Sequence, residues 1–205
     1  MSMEANTKKQ SSESGIALIV TLIVVSVVIS IGLSVLDLTT KQLRLSTNAK
    51  DSEKAFHAAN AGLECARYWH REKYTDIEVG GSISPKCFGK DSTPSSILGT
   101  DNEITTSVSG DGRIYQYEYK FTWGAGSGDK CSSVRAVMMA SSVTGSNPLV
   151  WSDVKSLFPG YSSNSNSKTC AVGSRCSIIS VKGYNKSCGN LNDQGVTERE
   201  VLLEF

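Results

Sequence analysis

The sequence has few prolines and histidines and no block of like charges. Among 205 residues there are four prolines and two histidines, and the formal net charge is +1. A chain balanced in this way has no strongly basic stretch, so the charge gives no indication of a nucleic-acid partner. No cysteine pair has Cys-x-x-Cys spacing, and both histidines lie far from most cysteines. A zinc site is therefore the weaker interpretation, and no metal ligand is predicted.

The sequence also lacks a recognisable catalytic pattern. His57 and His70 lie in a predicted helix whose other faces are charged or small, which favours solvated histidines. The stretch GAGSGDK (residues 124–130) lacks the spacing of a phosphate-binding loop and leads into a strand, which favours a hairpin loop. No obvious acidic pair suggests glycoside or metal chemistry. We therefore predict no catalytic residue, no cofactor and no small-molecule substrate: the protein is not expected to be an enzyme.

One long stretch has neither charge nor proline. It runs from Ile16 to Leu36 and, as a helix, would span roughly 31 Å, close to the hydrocarbon thickness of a bilayer. A secretory signal has a shorter apolar region of about 7–15 residues followed by a small-residue cleavage site. A buried core helix is disfavoured because no side of the stretch is polar. The sequence predicts a membrane-spanning helix that is retained and contacts the lipid bilayer.

The helical pattern continues beyond the membrane segment. The first proline is Pro85, and small and apolar side chains recur at steps of three and four residues. The members of this pattern are Phe56, Ala59, Leu63 and Ala66, and also Ala55, Ala58, Gly62, Cys65 and Trp69. We expect one helix over residues 16–74, with residues 16–36 in the membrane and residues 37–74 packed closely on a sheet or another helix.

The remaining residues, 75–205, predict a β-rich domain. Residues 103–123 alternate on both sides of Asp111-Gly112, which is typical of a hairpin. Further strands are predicted in CSSVRAVMMASSV, in CSIISVKGY and in the final VTEREVLLEF. Residues 145–175 are rich in Ser, Asn and Gly and predict a long loop or insertion. A long helix followed by an antiparallel sheet belongs to the α+β class.

In SG-IALIVTLIVVSVV a hydrophilic leader ending in glycine precedes the apolar helix, and SEKAFHAANAGLECARYW lies further along the same predicted helix. With the first stretch the chain resembles type IV pilins and pseudopilins, and the second resembles the helix after the membrane segment in minor-pilin-like proteins. The resemblance rests first on these two stretches. It also rests on the last strands, IISVKGYNKSC and VTEREVLLEF. The resemblance implies a pilin-like fold and a subunit that binds other pilin subunits through this helix. It is weak over residues 92–174.

The same resemblance implies how the N-terminus is processed. Prepilin peptidase cuts such leaders after the glycine, which places the bond at Gly15–Ile16 and makes residues 1–15 the leader. Ile16 would become the N-terminus and its usual N-methylation site, although most family members begin with phenylalanine. Most pilins also carry glutamate at the fifth mature position, where this chain has Val20. Because pseudopilins at filament tips lack that acid, the sequence resembles a minor or tip subunit.

Six cysteines favour disulfides in an oxidising compartment. Six cysteines allow 15 pairings, of which position along the chain favours one. The expected pairs are Cys65 with Cys87, Cys131 with Cys188, and Cys170 with Cys176.

Two signals for the membrane topology disagree. The positive charges after the span outnumber Lys8 and Lys9 before it, which would place the large domain in the cytoplasm, whereas the cysteines favour an oxidising compartment. The charge rule loses weight for long translocated domains, so we expect a single-pass protein of the bacterial cell membrane with its C-terminal domain outside the cytoplasm, at the cell surface or in the periplasm.

Two functions from different classes remain. The first is a structural subunit of a type IV pilus-like or secretion filament. The second is a membrane-anchored binding domain or adhesin that never enters a filament. Cleavage of the leader after Gly15 distinguishes them, because a plain anchor would keep residues 1–15.

Overall fold

The computed structural model describes residues 13–124, 129–162 and 164–205, with side chains from Gly15 onward. The predicted leader, residues 1–15, falls mostly outside the described residues, as does the centre of the GAGSGDK loop. The chain forms two compact units, Met1–Ala49 and Lys50–Phe205. The second unit contains all the strands.

The first element is a single long helix, α1, at Glu13–Glu72. It ends at Glu72, two residues before the predicted position, because Lys73 leaves the helical conformation with φ −112° and ψ 27°. A one-turn helix, α2 at Tyr74–Ile77, follows directly. The prediction of one uninterrupted helix through the membrane segment and the small-residue pattern is confirmed.

Four antiparallel strands form the main sheet of the second unit. They are β6 (Gly112–Trp123), β7 (Lys130–Ser141), β10 (Arg175–Tyr184) and β11 (Glu198–Glu204), in the order β11-β10-β7-β6. Register is continuous, with Met139 opposite both Ile114 and Cys176. The strands predicted at CSSVRAVMMASSV, CSIISVKGY and VTEREVLLEF are all present, and the α+β prediction is confirmed.

Short elements connect α2 to the main sheet and, with strands that follow β7, build three smaller sheets among the described residues. The short strands before β6 are β1 (Ser82–Ile83), β2 (Lys86–Cys87), β3 (Lys90–Asp91), β4 (Ile97–Leu98) and β5 (Val108–Ser109), with a 3-10 turn at Gly99–Asn102. After β7 come β8 (Leu149–Trp151), helix α3 (Val154–Leu157) and β9 (Lys168–Cys170). Strands β5, β8 and β9 form a three-stranded sheet.

One face of the main sheet packs on α1. Alternation along each strand sends Tyr117, Val134 and Ile179 to this face, where they join Leu63 and Ala66 of the helix. Most of the small-residue pattern predicted for the helix is buried, and Trp69 is partly buried. Phe56 was expected to belong to the pattern, but it is 50% exposed, because it lies about 100° around the helix from Ala55, at the margin of the buried stripe.

The other face of the sheet is covered by the segment predicted to be a loop. Residues 145–175 contain β8, α3 and β9, and they bury Leu149, Trp151 and Phe158 against Val137 and Ile178. Of the two predicted alternatives, a long loop or an insertion, the loop is wrong, because apolar residues spaced widely among the Ser and Asn residues pack on the sheet. The sheet is therefore apolar on both faces where this segment covers it.

The hairpin predicted around Asp111-Gly112 is also wrong. Strand β5 pairs with β8, where Val108 lies opposite Trp151. Within the predicted first arm of the hairpin, the described pairing with β6 is a single bridge from Glu103 to Tyr115. The Asp111 carboxylate accepts hydrogen bonds from the amides of Ser146 and Asn147, at 2.9 and 3.1 Å. The turn is therefore tied to the residues that precede β8, and the chain before it diverges from β6.

Glycines let α1 and the sheet approach each other closely. A Cβ on Gly62 would lie 2.7 Å from Val181 Cγ1 and 2.8 Å from Ser132 Cβ. A Cβ on Gly183 would overlap the backbone oxygen of Ala55 and the backbone nitrogen of Ala59. The Ser132 hydroxyl also donates to the Ala58 carbonyl at 2.6 Å. The helix therefore contacts the sheet backbone directly at this point.

Gly183→Ala is expected to destabilise the globular unit by about 2–3 kcal/mol, because the added methyl meets backbone atoms that cannot rotate away. The measurement is chemical unfolding of the full chain in detergent, followed by the near-ultraviolet signal of its tryptophans. Gly189→Ala is the matched control, since nothing lies within 4 Å of a Cβ there. Equal stability of the two variants would contradict the close packing.

Candidate functional site

The N-terminal half of α1 presents an apolar surface that its own chain leaves uncovered. Large apolar side chains from Ile16 to Leu38 are each more than half exposed. Within the described residues this is the one helix whose length and composition suit a bilayer span. Such a surface is unstable in water and requires lipid or other apolar helices around it.

The predicted cleavage site lies near the start of the described part of this helix. Gly15 and Ile16 follow Glu13, the first described residue of α1. A Cβ on Gly15 would meet no atom within 4 Å.

Val20 lies on the helix surface in a part of α1 that has no charged side chains. Its side chain is 53% exposed, and the sequence has no charged residue between Ile16 and Leu36. The hydroxyls nearby are satisfied within the helix: Thr21 donates to the Leu18 carbonyl at 2.9 Å, and the serines that follow donate in the same way. This part of the helix therefore offers no carboxylate to a neighbouring chain.

Three disulfides tie the globular unit together. The pairs are Cys65–Cys87, Cys131–Cys188 and Cys170–Cys176, with Cα–Cα distances of 6.0, 4.8 and 5.8 Å. They are the same pairs that position along the chain favours. The first joins α1 to β2, next to a hydrogen bond from the Trp69 indole to the Lys86 carbonyl at 3.1 Å. All six cysteines are bonded, and none is free.

The two histidines occupy different environments, which corrects the prediction that both are solvated. The side chain of His57 is 64% exposed, as expected, and lies 3.6 Å from Glu53. His70 is only 8% exposed, and its Nε2 lies 2.6 Å from the Ser177 hydroxyl. Burial lowers the pKa of His70 from 6.5 to about 4. The prediction failed because the sheet face that covers His70 is contributed by residues far along the chain.

Around His70, the structure assembles a cluster that the sequence analysis missed. Arg67, Arg71 and Tyr74 from the end of α1 and from α2 line one cavity with Arg175 and Phe205 from β10 and the chain end. Arg67, His70, Arg71 and Tyr74 recur at helical spacing, which was the available sequence signal. In the described residues, no group of three or more His, Cys, Asp or Glu side chains could hold a metal ion.

Comparison with known proteins places the N-terminal region in a family. Residues 14–64 match the family described as PilX N-terminal, which is related to the N-terminal region of type IV pilins. The chain is pilin-like over this region. Residues 65–205 lie outside the match. Neither a curated protein nor a solved structure matches the chain.

The pilin-like N-terminus and the long apolar helix indicate a membrane-anchored, pilus-associated protein. Proteins of this family have a structural role and associate with other pilus subunits. The match includes the membrane-length part of α1 and continues into the small-residue face that packs on the sheet.

The stability of the globular unit should fall as the pH drops from about 6.5 to about 4. His70 has the lower pKa in the folded state, so the unfolded chain binds more protons in this window. The contribution of His70 is lost progressively on acidification, reaching about 3 kcal/mol. His70→Gln, which retains an amide for Ser177, should remove this part of the pH dependence.

Melting temperatures of the full chain in detergent, measured by circular dichroism at several pH values, provide the check. His57→Gln is the control and should follow the wild type, because His57 is exposed. If His70→Gln and the wild type lose stability in parallel between pH 6.5 and 4, the assigned effect of burying His70 is wrong.

Proposed function

We propose that the protein is a minor or tip subunit of a type IV pilus-like or secretion filament. The observation that carries the proposal is a membrane-length apolar helix whose large side chains are each more than half exposed, in a region that matches a pilin-related family. In the membrane this surface faces lipid, and in a filament it faces the helices of other subunits. Assembly through the helix is thus the function, and the chemistry is packing rather than catalysis.

The cysteines support placement of the globular unit outside the cytoplasm. Structural disulfides persist in oxidising compartments and are rare where thiols are kept reduced. The globular unit contains three disulfides, Cys65–Cys87, Cys131–Cys188 and Cys170–Cys176. This argument outweighs the positive charges that follow the span, because the charge rule applies poorly to long translocated domains.

Processing follows from the same proposal. Prepilin peptidase would remove residues 1–15 and leave Ile16 as an N-terminus, which family members methylate. The bond lies close to Glu13, the first described residue of α1. Removal of the leader converts the apolar helix from a plain anchor into an element that can leave the bilayer with its amine at one end.

Val20 supports a minor or tip position. In most pilins an acid at this position is thought to pair with the N-terminal amine of a neighbour, since an unpaired charge in an apolar bundle is costly. A filament of this chain alone would bury an unpaired amine at each step. A subunit at the tip avoids the cost, because its own amine can meet the acid of a different pilin and nothing stacks above it.

Gly15→Leu should block leader removal and leave a full-length chain in the membrane. Gly32→Leu is the matched control, since both glycines lie on α1 with no atom within 4 Å of a Cβ. N-terminal sequencing and intact-mass measurement of the chain purified from its native membrane distinguish the outcomes. Wild-type and Gly32→Leu chains should begin at Ile16, with a methyl group on the amine. A wild-type chain that still begins at Met1 or Ser2 would favour the plain membrane anchor.

The copy number of the chain in filaments should be well below that of the main pilin. Quantitative mass spectrometry of sheared filaments gives the ratio, and expression as the sole pilin should give no filaments. Val20→Glu should raise the incorporated share, because it supplies the absent acid. Val24→Glu, one turn further along the same exposed surface, is the control and should not. Wild-type abundance equal to the main pilin would reject the tip position while leaving the filament proposal intact.

A further inference from the structure

The end of α1 and the adjacent edge of the main sheet enclose a cavity of about 420 Å³. We propose that this cavity binds a small monocarboxylate with an aromatic or alkyl body. The proposal concerns the globular unit alone and does not depend on filament assembly. The volume of the cavity lies within the roughly 300–1,000 Å³ typical of small-molecule sites.

The apolar part of the cavity suits a flat or flexible hydrocarbon body. Met138 and Leu203 line it from the helix-facing side of the sheet. Two aromatic rings stand at its edge with much of their surface in solvent: Tyr74 is 44% exposed and Phe205 is 51% exposed. Phe205 is held in place by paired backbone hydrogen bonds with Ser177, at 2.7 and 3.0 Å. Aromatic side chains at a cavity mouth gain most when an apolar ligand removes them from water.

The cationic part of the cavity has one guanidinium available. Arg67 pairs with Glu64 at 3.0 Å, and Arg175 pairs with Glu78 while lying 4.9 Å from the centre of the Tyr74 ring. Arg71 forms no salt bridge or hydrogen bond with any residue that the structure describes. A planar guanidinium matches a carboxylate with two parallel hydrogen bonds. With the other two arginines already neutralised, the cavity suits a single negative charge.

The interior polar group is already satisfied and does not compete for the ligand. His70 lines the cavity, and its Nε2 is occupied by the Ser177 hydroxyl at 2.6 Å. The imidazole also meets the Phe205 ring edge-on, with centroids 5.4 Å apart. Because His70 is neutral at pH 7, the positive charge that would pair with the ligand carboxylate comes from Arg71. The His70 imidazole forms part of the cavity lining and is held in place by Ser177. A ligand in the cavity would lie beside this imidazole and change its magnetic environment.

The test uses the full chain in detergent micelles, labelled with ¹³C at histidine only. The sequence has two histidines, so His70 reports on the cavity and the exposed His57 reports on non-specific effects. The probe is 3-phenylpropionate, compared with 3-phenylpropan-1-ol, which lacks the charge, and with acetate, which lacks the body. We expect 3-phenylpropionate to shift the His70 signals saturably and leave His57 unchanged, with both comparison compounds binding about tenfold more weakly.

Arg71→Gln should weaken 3-phenylpropionate binding about tenfold. Arg113→Gln is the control, because Arg113 is an exposed arginine outside the cavity, and it should bind as the wild type does. The proposal is overturned if His70 shows no saturable shift up to about 20 mM probe, a very weak affinity. It is also overturned if His57 shifts in parallel, if the alcohol binds as tightly as the acid, or if Arg71→Gln binds normally.

Discussion

The close contact between the second part of α1 and the main sheet is the constraint on which the globular unit depends. At Gly183 the sheet backbone touches the helix backbone between Ala55 and Ala59, with no room for a side chain on the strand. At Gly62 the relation is reversed, and the helix has no side chain where Val181 and Ser132 project from the sheet. At each of these two positions one element has a glycine, and atoms of the other element occupy the space of its missing side chain. Rotating or sliding the helix along the sheet would therefore produce steric overlap.

Once the helix is fixed on the sheet, several other features follow from its direction. Ser52 at one end accepts a hydrogen bond from Arg199 of β11 at 2.8 Å, and His70 at the other end meets Ser177 of β10. Cys65, between them, faces β2 and forms a disulfide with Cys87. The helix thus contacts β10, β11 and the connecting segment. The cavity beside His70 lies at the end of this helix, where Tyr74 of α2 and residues of the sheet line it.

Much of this arrangement could be predicted from local pattern, and the failures have physical causes. The helix was predictable because small and apolar residues recur at steps of three and four over many residues. The strands β7, β10 and β11 were predictable as short runs rich in apolar residues. The loop prediction for residues 145–175 failed because Leu149, Trp151 and Phe158 are separated by polar residues, and only the completed sheet gives them a surface to cover. The hairpin at Asp111 failed because its carboxylate is used by the amides of Ser146 and Asn147, a contact that no local rule contains.

The candidate sites also differ in whether they can be predicted from local sequence or only from the folded structure. Gly15, Ile16 and Val20 are defined by their order along the chain, so the sequence was sufficient to propose them. The cavity at His70 requires side chains from α1, α2, β10 and the chain end to meet, and its composition became visible only in three dimensions. Burial also changed the expected properties of His70. Its place on a helix with many charged neighbours predicted a solvated side chain, but the sheet buries it, and burial lowers its pKa so that it is neutral.

One helix therefore meets two different demands. Along residues 50–72 a stripe of mostly small and apolar side chains is buried by the chain's own sheet, and the remaining faces are mostly polar. Along Ile16 to Leu36 no face carries a charge and the apolar side chains are exposed, so the free energy of that surface depends on its surroundings. Lipid and a bundle of neighbouring helices are comparably apolar, so transfer between them gains little from hydrophobicity alone. Specific attraction must then come from packing or from a buried charge pair, and Val20 has no carboxylate for such a pair. In the proposed tip subunit, Ile16 would bring an amine that can pair with the acid of a partner, and Val20 would offer no acid to the next subunit, which is the physical argument for a position at the end of an assembly.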